Sequence, residues 1–71
     1  MLLADLRPGA SARVAAVQGA QARRLRALGF VPETRVTAER PAPGGDPAVY
    51  SLRGYTVALR LSLARQVEVR A

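Results

Sequence analysis

Two alternating runs, residues 48–53 and 55–60, constrain the fold of this chain more than any other feature. In both runs an apolar side chain occupies every second position, which is typical of a half-buried strand. Arg53-Gly54 separates the runs and indicates the tight turn of a β-hairpin. A single hairpin is only marginally stable in water, so the rest of the chain must pack around it. The shared apolar face comprises Ala48, Tyr50, Leu52, Val57 and Leu59.

The length and composition predict one small folded domain over residues 1–71. The chain is 49% hydrophobic, which favours a globular core over disorder. It contains neither Cys nor His, which excludes disulfides and the usual zinc sites as sources of stability. Packing, assisted by weak self-association, must therefore stabilise the domain.

The charge is strongly basic, and all eleven basic residues are arginines, giving a net charge of +6. Such a balance favours an anionic partner, although a solvated surface accounts for arginines spread along the whole chain. No apolar run approaches the length of a membrane span, and residues 1–6 lack the features of a signal peptide. We therefore expect a cytoplasmic protein without direct membrane insertion.

The remaining segments predict three further strands and one helix. We expect strands at residues 12–17, 35–40 and 66–70 and a helix at residues 21–28, where Ala22, Leu25 and Leu28 share a face. A helical turn over residues 2–6 ends at Pro8-Gly9, and Ser62 is predicted to cap a second turn over residues 63–65. About five short strands with one short inserted helix predict an all-β barrel, because closure removes exposed strand edges.

The end of the predicted helix carries a well-specified stop signal. Gly29 stands where a left-handed residue follows a helix, and Phe30 is then placed to pack on Leu25, as in a Schellman motif. Pro32 prevents the helix from continuing. We count Gly29, Phe30 and Pro32, together with Pro8, Gly9, Gly54 and Tyr55, as structural turn and cap residues.

The sequence offers little chemistry for catalysis. The five acidic residues are isolated from one another, and without His or Cys we expect no enzymatic activity, no metal site and no cofactor. Gly44-Gly45 lacks the Lys-Ser/Thr that a phosphate loop requires. Only three aromatic residues are present, and Phe30 and Tyr50 are expected in the core, so nucleic acid is an unlikely partner.

Three motifs together resemble the FeoA family. They are the run from Leu25 through Leu28-Gly29-Phe30-Val31-Pro32 to Val36, then residues 42–47, then Arg53-Gly54-Tyr55 with Leu59-Arg60. The resemblance implies an SH3-like barrel with a helix inserted after the first strand. It also implies a small cytoplasmic partner of the FeoB ferrous iron transporter. The family usually has Gly where this chain has Glu33, so we predict a type I turn at residues 31–34 instead of type II.

Candidate partner-binding residues come from one basic cluster and one apolar segment. The basic cluster would steer association with an acidic surface. In the apolar segment, where the family is usually charged, Leu63 is the stronger candidate for surface contact and Leu61 the stronger candidate for core. The candidates are Arg23, Arg24, Arg26, Arg60, Leu61 and Leu63. The alternatives are a basic barrel that binds nucleic acid and a detached interaction domain of an iron-dependent repressor.

Overall fold

The computed structural model describes all 71 residues. It contains five strands, two short α-helices and a 3₁₀ turn, joined by loops and turns. Every predicted strand is present, and its ends lie within two residues of the expected positions. In chain order the elements are the 3₁₀ turn (Leu3–Asp5), β1 (Ser11–Val17), α1 (Ala22–Ala27), β2 (Arg35–Ala38), β3 (Ala48–Leu52), β4 (Tyr55–Leu59), α2 (Leu61–Ala64) and β5 (Val67–Arg70).

The strands form one antiparallel sheet in the order β4-β3-β2-β1-β5. The inward side chains of all five strands belong to a single buried cluster, which requires the sheet to curl around it. The core adds Leu3 from the 3₁₀ turn, Leu25 from α1 and Phe30 from the segment after it, each with no solvent-exposed surface. The predicted all-β barrel is therefore confirmed.

The β3–β4 hairpin has the two-residue turn that the sequence indicates. Leu52 pairs with Tyr55, and the intervening Arg53 and Gly54 have φ angles of 52° and 87°. Positive φ at both central residues defines a type I′ turn, whose twist matches that of the flanking strands. Tyr50 in β3 is 1% exposed, and its hydroxyl donates to the Leu3 carbonyl at 3.3 Å.

The C-terminus of α1 has both hydrogen bonds of a Schellman motif. The Phe30 amide donates to the Leu25 carbonyl at 3.1 Å, and the Gly29 amide donates to the Arg26 carbonyl at 3.0 Å. Gly29 has a φ of 112°, which an L-residue rarely adopts. This cap ends the helix and turns the chain so that Phe30 enters the core.

The predicted type I turn at residues 31–34 is wrong. Glu33 has a φ of 76°, and the Thr34 amide donates to the Val31 carbonyl at 3.1 Å, so the turn is type II. Tertiary contacts hold Glu33 in this conformation: its amide donates to the Val14 carbonyl at 2.8 Å, and its carbonyl accepts from Arg13 at 3.1 Å. These contacts come from β1, which local turn preferences cannot anticipate.

The predicted N-cap at Ser62 is also wrong. Helix α2 begins at Leu61, two residues earlier than expected, and its N-cap residue Arg60 makes no side-chain cap. A carboxylate distant in sequence takes that role, because Asp46 Oδ1 accepts from the Leu61 amide at 3.1 Å. The β2–β3 loop thus caps α2 from outside the helix.

Candidate functional site

An apolar groove of about 210 Å³ lies where the 3₁₀ turn, the β2–β3 loop and the start of α2 meet. Seven of its eleven lining residues are hydrophobic, so it suits an apolar side chain better than a charged one. We call this surface the apolar groove. It is lined by Ala4, Leu6, Pro8, Ala38, Glu39, Pro41, Gly45, Ala48, Val49, Tyr50 and Leu61.

Main-chain and side-chain hydrogen bonds fix the loop that borders the apolar groove. Ser51 donates to the Glu39 carboxylate at 2.6 Å, and the Glu39 amide donates to the Val49 carbonyl at 2.8 Å. At the other end of the loop, Asp46 holds the first residue of α2. Both ends of residues 39–47 are therefore tied to neighbouring elements, which positions Leu61 beside the loop.

The two leucines of α2 have different environments. Leu61 is half-buried and lines the apolar groove, whereas Leu63 is half-buried and packs against the core. From the sequence, Leu63 ranked above Leu61 for surface contact and a core position was favoured for both, and contact of either leucine with a partner stays a prediction.

The arginines predicted to contact a partner lie on two different elements. Arg23, Arg24 and Arg26 are exposed on α1, which packs against β1, and Arg60 is exposed at the start of α2. Arg24 and Arg26 occupy the last turn of α1, where positive charge interacts favourably with the helix dipole. The structure therefore places Arg60 next to Leu61 and Leu63, and the α1 cluster on a separate element.

The remaining turn residues connect the elements around α1. The Tyr55 hydroxyl, at the start of β4, donates to the Leu28 carbonyl at the end of α1. The Gly9 amide, after Pro8, donates to the Ala38 carbonyl at 2.7 Å. The first contact joins two of the three motifs, because Tyr55 and Leu28 belong to different ones.

Tyr50, which lines the groove, has a raised pKa. Burial, and then the negative charge of Asp5, raises the pKa of Tyr50 above the ordinary 10.0. Its hydroxyl therefore stays protonated and donates to Leu3. No group of three or more His, Cys, Asp or Glu residues is placed to hold a metal ion.

The sequence did not identify Leu6, Glu39 or Pro41 as candidates. Leu6 lies more than thirty positions before Glu39 and Pro41, and only the pairing of the segment after Pro8 with β2 brings all three to one surface. A usable signal for Pro41 was present in Pro41-Ala42-Pro43, because two closely spaced prolines indicate a stiff loop.

The FeoA domain family matches residues 1–71, the whole chain. The chain belongs to the FeoA family. No curated protein sequence gives a significant match.

Solved FeoA structures have the same fold as this chain. A FeoA from Stenotrophomonas maltophilia, solved with zinc, is 40% identical, with a TM-score of 0.88 over 97% of this chain and 88% of that one. It is described as a prokaryotic SH3 domain protein and as a candidate activating factor of ferrous iron transport. A FeoA protein from Chlorobium tepidum is 33% identical, with a TM-score of 0.88 over 99% of this chain and 69% of that one. The SH3-like fold implied by the family resemblance is confirmed.

In two further similar structures, this chain covers less than half of the other protein. Iron(II) transport protein A from Clostridium thermocellum is 33% identical, with a TM-score of 0.90, and this chain spans 45% of its length. A manganese-dependent transcriptional repressor shares the fold at 19% identity, with a TM-score of 0.86 over 100% of this chain and 41% of that one. None of the helices in the present chain has the length and apolar character needed to cross a membrane.

Proposed function

We propose that this FeoA protein is a non-enzymatic accessory protein of bacterial ferrous iron uptake that binds the cytoplasmic part of a FeoB-type transporter. The observation that carries the proposal is the FeoA match over residues 1–71. The description of the S. maltophilia relative as a candidate transport activating factor supports it. A protein with this role acts in the cytoplasm, at the inner face of the membrane through its partner.

The apolar groove is the best candidate for the contact. Leu61 and Pro41 line it, and both keep part of their surface in solvent. An apolar side chain of the transporter that entered the groove would bury surface on both proteins, at about 25 cal/mol per Å². Arg60, beside Leu61, would steer the approach of an acidic surface.

The test is the binding of the purified cytoplasmic part of the FeoB-type transporter from the same genome, measured by calorimetry. We expect Leu61→Glu to weaken binding at least tenfold, because it places a charge in an apolar contact. Ala58→Glu is the matched control, since Ala58 is exposed on β4 and does not line the groove. Both variants should retain the wild-type circular dichroism spectrum.

The possible results separate the parts of the proposal. Absence of binding by the wild-type protein would refute the partner. Equal binding by wild type and Leu61→Glu would refute the groove as the contact and leave the partner in place.

A further inference from the structure

Three arginines lie side by side on the outer face of the barrel. In the antiparallel registers, Arg13 of β1 is directly opposite Arg35 of β2 on one side and Arg70 of β5 on the other. Directly opposite residues point to the same face, with Cβ atoms about 4.5–5.5 Å apart. All three are exposed, whereas their strand neighbours Val36 and Val69 are buried, so the arginines face solvent. We call Arg35, Arg13 and Arg70 the arginine row.

The arginine row is only partly neutralised within the chain. Glu33 pairs with Arg70, and its carbonyl accepts from Arg13. Arg35 has neither an ion pair nor a side-chain hydrogen bond. Like charges directly opposite each other destabilise a sheet, so Arg35 opposes folding at its position. No carboxylate of the chain therefore offsets the positive charge of Arg35.

A surface cavity lies beside Arg13 and Arg35. It has a volume of about 150 Å³, and its other lining residues are Ser11, Ala12 and Ala71. Neither arginine is paired with a carboxylate, and Arg13 contacts only the Glu33 carbonyl. A guanidinium presents N–H donors in a planar fork that matches a carboxylate, and the row already binds one carboxylate through Arg70. The cavity thus combines space, donors and positive charge.

We propose that the arginine row binds an acidic segment of the partner protein, with an Asp or Glu carboxylate entering the cavity between Arg13 and Arg35. The inference rests on the proposed function, since it names the chemistry of the segment that the transporter presents. It also identifies a second contact, formed by β1, β2 and β5, in addition to the apolar groove.

The surroundings favour an acidic peptide over nucleic acid. Glu33 lies beside the row, and Glu68 is exposed on β5 two residues before Arg70. These carboxylates would repel the closely spaced phosphates of a nucleic acid strand. The row lacks an aromatic side chain for base stacking. One or two carboxylates match the guanidinium groups of Arg13 and Arg35 in number, and they bring fewer negative charges past Glu33 and Glu68 than a strand with a phosphate at every nucleotide does.

Arg35→Glu gives a test in which binding and stability change in opposite directions. The variant places a carboxylate opposite Arg13, so the melting temperature should equal or exceed that of wild type. Affinity for the cytoplasmic part of the transporter should fall about tenfold at low salt, because an attraction is replaced by a repulsion. The loss should shrink at high salt, where exposed charges are screened.

Arg65→Glu is the matched control, because Arg65 is exposed at the end of α2 and makes the same charge change away from the row. Arg35→Gln is the milder second variant and should weaken binding a few-fold. At the same low salt concentration we expect Arg65→Glu to lose less affinity than Arg35→Glu, because it changes the net charge equally but lies away from the row, and at high salt it should bind within about twofold of wild type.

Each result decides the matter. A selective loss for Arg35→Glu, with no loss of melting temperature, supports the inference. Wild-type affinity for Arg35→Glu overturns it and leaves the proposed function standing. No binding by the wild-type protein overturns both. A salt-dependent affinity for single-stranded DNA that Arg35→Glu abolishes, with transporter binding unchanged, would identify nucleic acid as the occupant and overturn the inference.

Discussion

Replacement of Gly29 by Ala should destabilise the protein through two separable effects. The first is conformational, because Gly29 has a φ of 112°. A left-handed conformation costs an L-residue about 1–2 kcal/mol. The second is steric, because an added Cβ would lie 2.6 Å from the Tyr55 hydroxyl and 3.2 Å from Leu52 Cδ1.

The steric effect also costs a hydrogen bond. Tyr55 must move its hydroxyl away from the Leu28 carbonyl to make room, and a hydrogen bond contributes about 1 kcal/mol to stability. The two effects together should lower the free energy of unfolding by about 2–3 kcal/mol. For a domain of this size that corresponds to a fall in melting temperature of about 10–20 °C.

Two controls separate the effects in thermal and urea unfolding experiments. Gly54 also has a positive φ, of 87°, but a Cβ there would meet nothing within 4 Å, so Gly54→Ala should show the conformational cost alone. In a Tyr55→Phe background the hydroxyl clash is absent, and Gly29→Ala should cost about 1 kcal/mol less than in wild type. Equal costs for Gly29→Ala and Gly54→Ala, with no coupling to Tyr55, would refute the steric argument.

Four further predictions concern the α2 cap, the pKa of Tyr50, Fe²⁺ binding and the arginines of α1. Asp46→Ala should cost about 0.5–2 kcal/mol and speed hydrogen exchange in α2, because Asp46 caps the Leu61 amide; unchanged exchange would contradict this role. The unfolded chain releases the Tyr50 proton at a lower pH than the folded chain does, so the free energy of unfolding should fall above about pH 10. Thermal unfolding at alkaline pH should show a smaller fall for Tyr50→Phe than for wild type. Calorimetric titration of the anaerobic protein with Fe²⁺ should give no binding at micromolar concentrations, since imidazole and thiolate ligands are lacking. Substitution of the three exposed arginines of α1 by Glu should leave the circular dichroism spectrum intact and slow association with an acidic partner at low salt; the residues are Arg23, Arg24 and Arg26. Unchanged association kinetics would mean that these arginines only face solvent.

The features that local sequence predicts well are those with local causes. The hairpin follows from alternation around Arg53-Gly54, and the end of α1 follows from Gly29 and Phe30. In each case the residues that determine the structure are within a few positions of one another, so propensity and turn chemistry suffice.

The features that the sequence did not reveal depend on contacts between distant segments. Asp46 caps α2 from fifteen residues away, and Leu6 meets Pro41 only through the pairing of the chain with β2. The turn at Glu33 is type II because β1 supplies its hydrogen bonds. No period or propensity in a single segment contains this information, because strand register determines which residues meet.

Two departures from local preference occur at one place on the barrel. Glu33 has a positive φ where Gly would be unstrained, and the arginine row opposes three like charges across neighbouring strands. They are physically connected, since Glu33 contacts both Arg13 and Arg70. Residues that are less stable than local preference would allow are expected at functional sites, where another requirement outweighs stability.

Replacement of Glu33 by Gly separates the strained backbone from the charge of the row. The variant relieves the strained φ of residue 33 but removes the only carboxylate that is paired with the arginine row, so the row attracts an external carboxylate more strongly. The variant should therefore bind an acidic partner more tightly than wild type, and a decrease in affinity would mean that Glu33 itself forms part of the contact.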